Sequence, residues 1–188
     1  MIAPLIKNNT RLFHENLEIK LKDVLFNENL SPLAYYNLLL NFKTAYLSLE
    51  NSLKKNSFIE EMLFKRSKIH MLDDDLFCLE KEIGLKTHQI STLEYNTTST
   101  ANALGAMYVM EGATLGGQII VKFLSRHPWM QSIKCYNFFK SYGKETGNMW
   151  KEFIEFIEDY VEMNPEDSEK VVEGAIMAFK HIDKTLTV

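Results

Sequence analysis

Apolar residues recur along most of this chain at intervals of three and four, the spacing that gathers them on one face of an α-helix. No stretch of alternating β-branched residues persists, so the pattern predicts an all-α protein. Leu17, Leu21 and Val24 or Leu25 form one stripe and predict a helix over roughly 10–26. Ser31 before Pro32 reads as an N-cap followed by proline at the first helical position. The helix it opens runs to about Leu53, with Tyr35, Leu38, Leu39, Phe42, Tyr46 and Leu49 facing inward. Shorter helices are expected over 57–69 and 72–84, where Asp73, Asp74 and Asp75 suit the positive N-terminus of the second. Ser99 or Thr100 begins a long helix that reaches about Ser125 and ends before Pro128. Further helices are expected over 131–142 and 145–162. Asn164-Pro165 caps a last one, with Val172, Ala175, Ile176, Phe179, Ile182 and Leu186 as its apolar stripe.

Composition narrows this picture. The 188 residues show no repeat, linker or low-complexity segment, so one domain over 1–188 is expected. At 46% hydrophobic and 24% charged residues, disorder is excluded. A net charge of −4 lacks the basic footprint of a nucleic-acid protein. Cys78 and Cys135 stand far apart with no CxxC pattern, so they read as ordinary buried thiols rather than a disulfide framework or a zinc site. The N-terminus has no signal-like apolar core and the chain no unbroken run of 18 apolar residues, so no membrane span is expected. Cytoplasm and a monomer are the default expectations. Charge is uneven: five cations face one acid over 126–151, and nine acids face Lys170 over 152–173. Solvated helix faces account for both; the alternative is a basic patch for an acidic electron-transfer partner or a ligand carboxylate.

Two features carry chemistry. Gly112, Gly116 and Gly117 sit inside a helical pattern, each less favourable than alanine by about 1 kcal/mol. Ala101, Gly105, Tyr108, Gly112 and Gly116 share one face nearly free of side chains. Such a face serves either a close helix crossing or a flat ligand lying on the backbone, with a kink at the glycines. The second feature is His14, with Lys7 and Arg11 before it and Glu18 four residues after, all on one side of the first helix. That is either a charged surface or an imidazole ligand oriented by a carboxylate. No histidine is preceded three residues earlier by Glu, so the di-iron helical-bundle pattern is absent. One histidine suffices for iron only where a ring such as heme supplies the other ligands. His70 and His88 read as surface or capping groups, His127 as a helix terminator and His181 as partly buried; Phe138, Phe139 and Phe153 read as core.

Three segments together resemble the heme oxygenase family in its bacterial, biliverdin-producing branch. LIKNNTRLFHENLE (5–18) is similar to the proximal-helix motif, ALGAMYVMEGATLGGQ (103–118) to the distal-helix signature, and FFKSYGKETGNMWKEF (138–153) to a segment of the bacterial members. Arg66, Leu72, Asp75, Leu76 and Gly84 add weaker support. The resemblance implies a single-domain helical bundle with heme between the first helix and a kinked, glycine-rich distal helix. It implies His14 as the iron ligand, Gly112, Gly116 and Gly117 as the distal backbone, Lys7 and Arg11 as cations near the propionates, and Tyr108 beside the pocket. The activity implied is oxidative cleavage of heme, which is both cofactor and substrate, to biliverdin, Fe(II) and CO, with O2 and electrons from a ferredoxin or flavin reductase. Mammalian-type members carry aspartate directly after the first distal glycine; here that residue is Ala113. A non-catalytic heme-binding or heme-sensing protein of the same fold is therefore the alternative. Lys144 and Lys151 are further candidate propionate partners.

Overall fold

A computed structural model describes residues 1–84 and 93–186. All of its regular structure is helical: α1 (Ile2–Leu25), α2 (Pro32–Leu53), α3 (Glu60–Arg66), α4 (Ile69–Ile83), α5 (Thr100–Gly112), α6 (Gly117–Leu124), α7 (Pro128–Ile133), α8 (Asn137–Lys140), α9 (Thr146–Met163) and α10 (Ser168–Thr185). His88 falls outside the described residues.

Local signals set several ends. The Ser31 hydroxyl accepts the Ala34 N–H at 3.1 Å with Pro32 in the first turn of α2. The Ser99 hydroxyl does the same for Asn102 in α5. Gly84, at φ 67°, ends α4 in the left-handed conformation.

Other ends differ from expectation, and for a common reason. α1 begins at Ile2 rather than near Thr10, because the Glu158 carboxylate of α9 accepts the Ile2 and Ala3 N–H groups at 2.8 and 3.1 Å. Pro4 is tolerated in that first turn, where no intrahelical donor is needed. α4 begins at Ile69, so Asp73, Asp74 and Asp75 do not form its first turn. Buried Asp75 instead accepts the Asn137 and Phe138 N–H groups at 2.7 and 2.9 Å and anchors the start of α8. The single helix expected over 131–142 is split into α7 and α8, with Lys134 at φ 56° between them. Asn164 donates back to the Tyr160 carbonyl at 2.8 Å and does not cap the last helix; a 3₁₀ turn at Pro165–Asp167 leads into α10.

The densest packing is α5 on α10. A Cβ on Gly105 would stand 2.6 Å from the Ala175 nitrogen, and one on Gly174 2.6 Å from the Asn102 Cα. Only glycine permits that approach from either side. The Asn102 amide seals the crossing by donating to the Lys170 carbonyl at 2.8 Å. By length and composition the run Thr100–Leu124 is long and apolar enough to cross a membrane, a property that counting unbroken apolar residues passes over. Half of its most apolar stretch is buried inside the bundle.

Cys78 and Cys135 form a disulfide, Cα to Cα 6.0 Å, and are not the free thiols expected. Sequence separation hides the pair: α4 and the α7–α8 link meet only in the folded chain. His181, expected partly buried, is 8% exposed and meets the Ser48 hydroxyl through Nε2 at 2.5 Å. His127 is buried between the Phe123 and Trp129 rings at the start of α7, where Pro128 opens a helix as well as ending one. His70 is exposed.

Candidate functional site

α1 presents Lys7, Arg11, His14 and Glu18 along one face, and all four border a cavity of about 1170 Å³. That is somewhat larger than common small-molecule sites, about 300–1,000 Å³. Across it run α5 and the turn that follows, with Tyr108, Gly112, Ala113 and Gly116 on the wall. The helix is not continuous there: Ala113–Gly116 tighten into a 3₁₀ turn before α6. The kink lies at the glycines, where the sequence places it.

The glycines divide by what surrounds them. A Cβ on Gly116 would meet nothing within 4 Å, and one on Gly112 only the Trp150 ring at 3.7 Å. These two leave bare backbone facing open space. Gly117 is placed otherwise. It does not border the cavity, and a Cβ there would lie 3.1 Å from the Phe139 carbonyl carbon. Its missing side chain admits the backbone of α8. The small-residue face is thus divided: it serves a helix crossing at Gly105 and leaves an open slot at Gly112 and Gly116.

The His14 side chain is 58% exposed, with Nδ1 4.0 Å from a Glu18 oxygen and its ring edge-on to Phe179 at a centroid distance of 6.1 Å. Nδ1 faces the carboxylate, which leaves Nε2 free to bind. Arg11 pairs with Glu15 at 3.1 Å on the rim. Lys144 and Lys151 do not border the cavity; Lys151 pairs with Glu155 at 3.6 Å. Phe138 and Phe139, expected only as core, join Phe42 and Tyr46 in the inner lining, and Trp150 packs edge-on against Tyr108.

A polar cluster behind the distal wall has no counterpart in the sequence expectations. Arg66 Nη1 donates to Glu111 at 2.5 Å, Lys68 Nζ to the same carboxylate at 3.3 Å, and the Tyr142 hydroxyl to it at 2.8 Å. Lys68 also donates to the Tyr142 hydroxyl. Arg66, Lys68 and Glu111 are each no more than 2% exposed. Burial pulls Lys68 down to about 8, against the opposing pull of Glu111 and Glu50. Burial, reinforced by Glu111, pushes Tyr142 far up. One signal was available: Glu111 is the sole charge between Thr100 and Val121, and a lone acid in an apolar helix needs buried partners.

His14 and the bare backbone of Gly112 and Gly116 thus border one large cavity. Among the described residues no cluster of three or more His, Cys, Asp or Glu side chains is placed to hold a metal unaided. The family model for heme oxygenase matches residues 1–187, and the chain belongs to that family. Among solved structures, the NO- and CO-bound heme oxygenase from Neisseria meningitidis superposes with a TM-score of 0.72 at 17% identity, covering 99% of this chain and 90% of that one. The all-α heme oxygenase fold is thus shared. No curated protein matches the chain. Family membership implies heme as the ligand, and the cavity fits it: one imidazole donor, two cations on the rim, and a slot at Gly116 that a side chain would fill.

Proposed function

We propose that this protein is a heme oxygenase that opens heme oxidatively to biliverdin, Fe(II) and CO, using O2 and electrons from an external donor such as a ferredoxin or a flavin reductase. The observation that carries the reading is His14 standing across one cavity from the bare backbone of Gly112 and Gly116. Heme, both cofactor and substrate, supplies the iron at which O2 is reduced and the ring carbon that is oxidised. Every other contribution is the chain's own. His14 would hold the iron through Nε2, and the Glu18 carboxylate, 4.0 Å from Nδ1 and outside hydrogen-bond distance, would favour the tautomer that carries its proton on Nδ1. A neutral imidazole there would donate less electron density to the iron than a thiolate. Lys7 and Arg11 would pair with the ring's carboxylates at the rim, Arg11 exchanging its present partner Glu15. Gly112 and Gly116 would leave room for the ring, Tyr108 and Trp150 on the same cavity wall would stand beside it, and Gly117 lets α8 pack close behind that wall. One domain and a monomer belong to this reading, whereas the Cys78–Cys135 disulfide suits an oxidising compartment better than the cytoplasm expected from the sequence.

A specific observation favours the second reading, a heme-binding protein that does not turn over. Ala113 borders the cavity and offers no carboxylate for proton delivery. Hemin titration followed by ascorbate in air, with catalase present, separates the two. Loss of the Soret band with growth of a broad red band is the expected result; a Soret band that shifts and then persists, also with a ferredoxin donor, selects the second reading. In His14→Ala the hemin complex should lose its Soret signature and most of its affinity. Unchanged spectrum and affinity there would remove His14 as the ligand.

A further inference from the structure

One stretch of the surface carries cations that nothing nearby neutralises. Residues 112–144 hold five cations, Lys122, Arg126, Lys134, Lys140 and Lys144, and no acid, and all five are exposed. None of them forms an ion pair with a described residue. Elsewhere the surface is balanced: Arg11 pairs with Glu15, Lys20 with Asp183, Lys22 with Glu18 and Lys151 with Glu155. The fold brings three of the five cations together. Lys122 lies in the last turn of α6 and Arg126 one turn beyond it, and the Gln118 amide, a turn before Lys122, reaches the Lys140 carbonyl at 3.5 Å. Apolar groups stand among them. Ile119, 66% exposed, lines an open groove of about 540 Å³ with Lys122, Arg126, Phe26 and Phe123. Leu115, one turn before Ile119 and 48% exposed, borders the heme-sized cavity itself. Asp23 and Glu28, on either side of Phe26, ion-pair with none of these cations.

We propose that this face, Leu115 and Ile119 with Lys122, Arg126 and Lys140, is where the electron donor docks, and that the donor is a small redox protein with an acidic surface. This rests on the heme oxygenase reading, which draws electrons from outside the chain. Each encounter oxidises the donor by one electron and passes that electron to the bound heme past the cavity lip at Leu115; the oxidised donor then leaves. Apolar side chains among exposed charges suit a small, transient protein interface. Unpaired rim cations speed encounter and select an acidic partner more than they prolong the complex, which suits a donor that must leave after every electron. A flat anionic bilayer fits less well. Glu15 and Glu18, each 49% exposed, border the same cavity from α1, so a plane resting on Leu115 and Ile119 would press its charge against them. A compact protein seated on α6 and α8 can leave α1 uncovered.

The double variant Lys122→Glu/Arg126→Glu tests the proposal. Lys54→Glu/Lys55→Glu, an equal change of charge at the exposed end of α2, is its control. None of the four residues borders the cavity, so hemin affinity and ascorbate-driven turnover should match wild type in both variants. The probe is a plant-type [2Fe–2S] ferredoxin with an acidic surface, titrated calorimetrically into the ferric hemin complex at about 20 mM salt. Its affinity should fall at least about tenfold in Lys122→Glu/Arg126→Glu and less than about threefold in the control. Ferredoxin-driven turnover should fall in step, and wild-type binding should fade as salt rises to about 300 mM. No ferredoxin binding by wild type, wild-type affinity in Lys122→Glu/Arg126→Glu, or an equal loss in the control each overturns the proposal and leaves the heme reading intact. Capture of wild type, and not of Lys122→Glu/Arg126→Glu, by phosphatidylserine vesicles would assign the face to a lipid surface and overturn it too. A wild-type protein that takes up no hemin overturns the heme reading itself, and this proposal with it.

Discussion

Gly112 and Gly116 are helical and uncrowded, whereas Gly105 and Gly117 are pressed against backbone. Opposite responses to the same substitution follow. Gly105→Ala and Gly117→Ala force a main chain to move and should lower stability by several kcal/mol in urea unfolding, on the order of 3 kcal/mol or more. Gly112→Ala and Gly116→Ala have helical φ and open space, so each should fold normally and gain about 0.5–1 kcal/mol from propensity. The gain in stability should coincide with weaker hemin binding, because the new methyl enters the slot. Equal hemin affinity in Gly116→Ala would show that the slot is not where the ring lies. The sequence pattern alone placed all these glycines on the distal helix. It could not divide them, because whether a missing Cβ faces α10, α8 or open space depends on partners more than 20 residues away. The same holds for Lys68 and Tyr142, which meet only around the buried Glu111 carboxylate in the folded chain.

At the scale of elements, helix ends capped from within the local chain were legible, and ends capped from elsewhere were not. Ser31 and Ser99 stand beside the N–H groups they accept, and α2 and α5 begin where those serines predict. Glu158, Glu50 and Asp75 satisfy backbone donors of α1, the residue before α4, and α8 across tertiary contacts. Nothing beside Ile2, Ile69 or Asn137 announces them. Asp75 makes the point measurable. Burial raises its carboxyl to about 6, outweighing the two backbone donors that act to lower it. The native state therefore keeps the proton at a pH where the unfolded chain, near 3.9, has already released it. The resulting stability is fully present below about pH 4 and is lost as pH rises to about 6. Relative to Asp75→Asn, wild-type stability in urea should fall over that window, at no more than about 1.4 kcal/mol per pH unit. A difference between the two proteins that stays flat from pH 4 to 7 would contradict the assignment. At pH 7 the asparagine protein should still be the weaker one, since a single amide oxygen must replace two carboxylate acceptors.

Over the whole molecule, the helical class follows from periodicity, while the placing of the first helix across a ligand site from the glycine helix was implied only by the family resemblance. The disulfide does not. Cys78 and Cys135 are 57 residues apart, and closing a loop of that length restrains the unfolded chain by about 4 kcal/mol on the chain-entropy account. The position of the link matters as much as its length. It ties α4 to the segment that leads directly into Phe138 and Phe139, both of which line the cavity. Two further ties hold that segment: the Tyr35 hydroxyl donates to the Cys135 carbonyl at 2.9 Å, and Asp75 holds the first turn of α8. Phe42 packs its ring on both phenylalanines, at centroid distances of 5.1 and 5.8 Å. Disulfides persist in oxidising compartments, and in a reducing cytosol the same sulfurs are thiols. The double variant Cys78→Ala/Cys135→Ala should accordingly unfold at lower urea, with a loss on the order of 2–4 kcal/mol. Because Tyr35, Asp75 and Phe42 remain, the inner lining should stay assembled and hemin affinity should fall by less than about tenfold, under 1.4 kcal/mol. A collapse of hemin binding in a variant that is still folded by circular dichroism would mean that the covalent tie, and not these three side chains, positions the inner wall of the site.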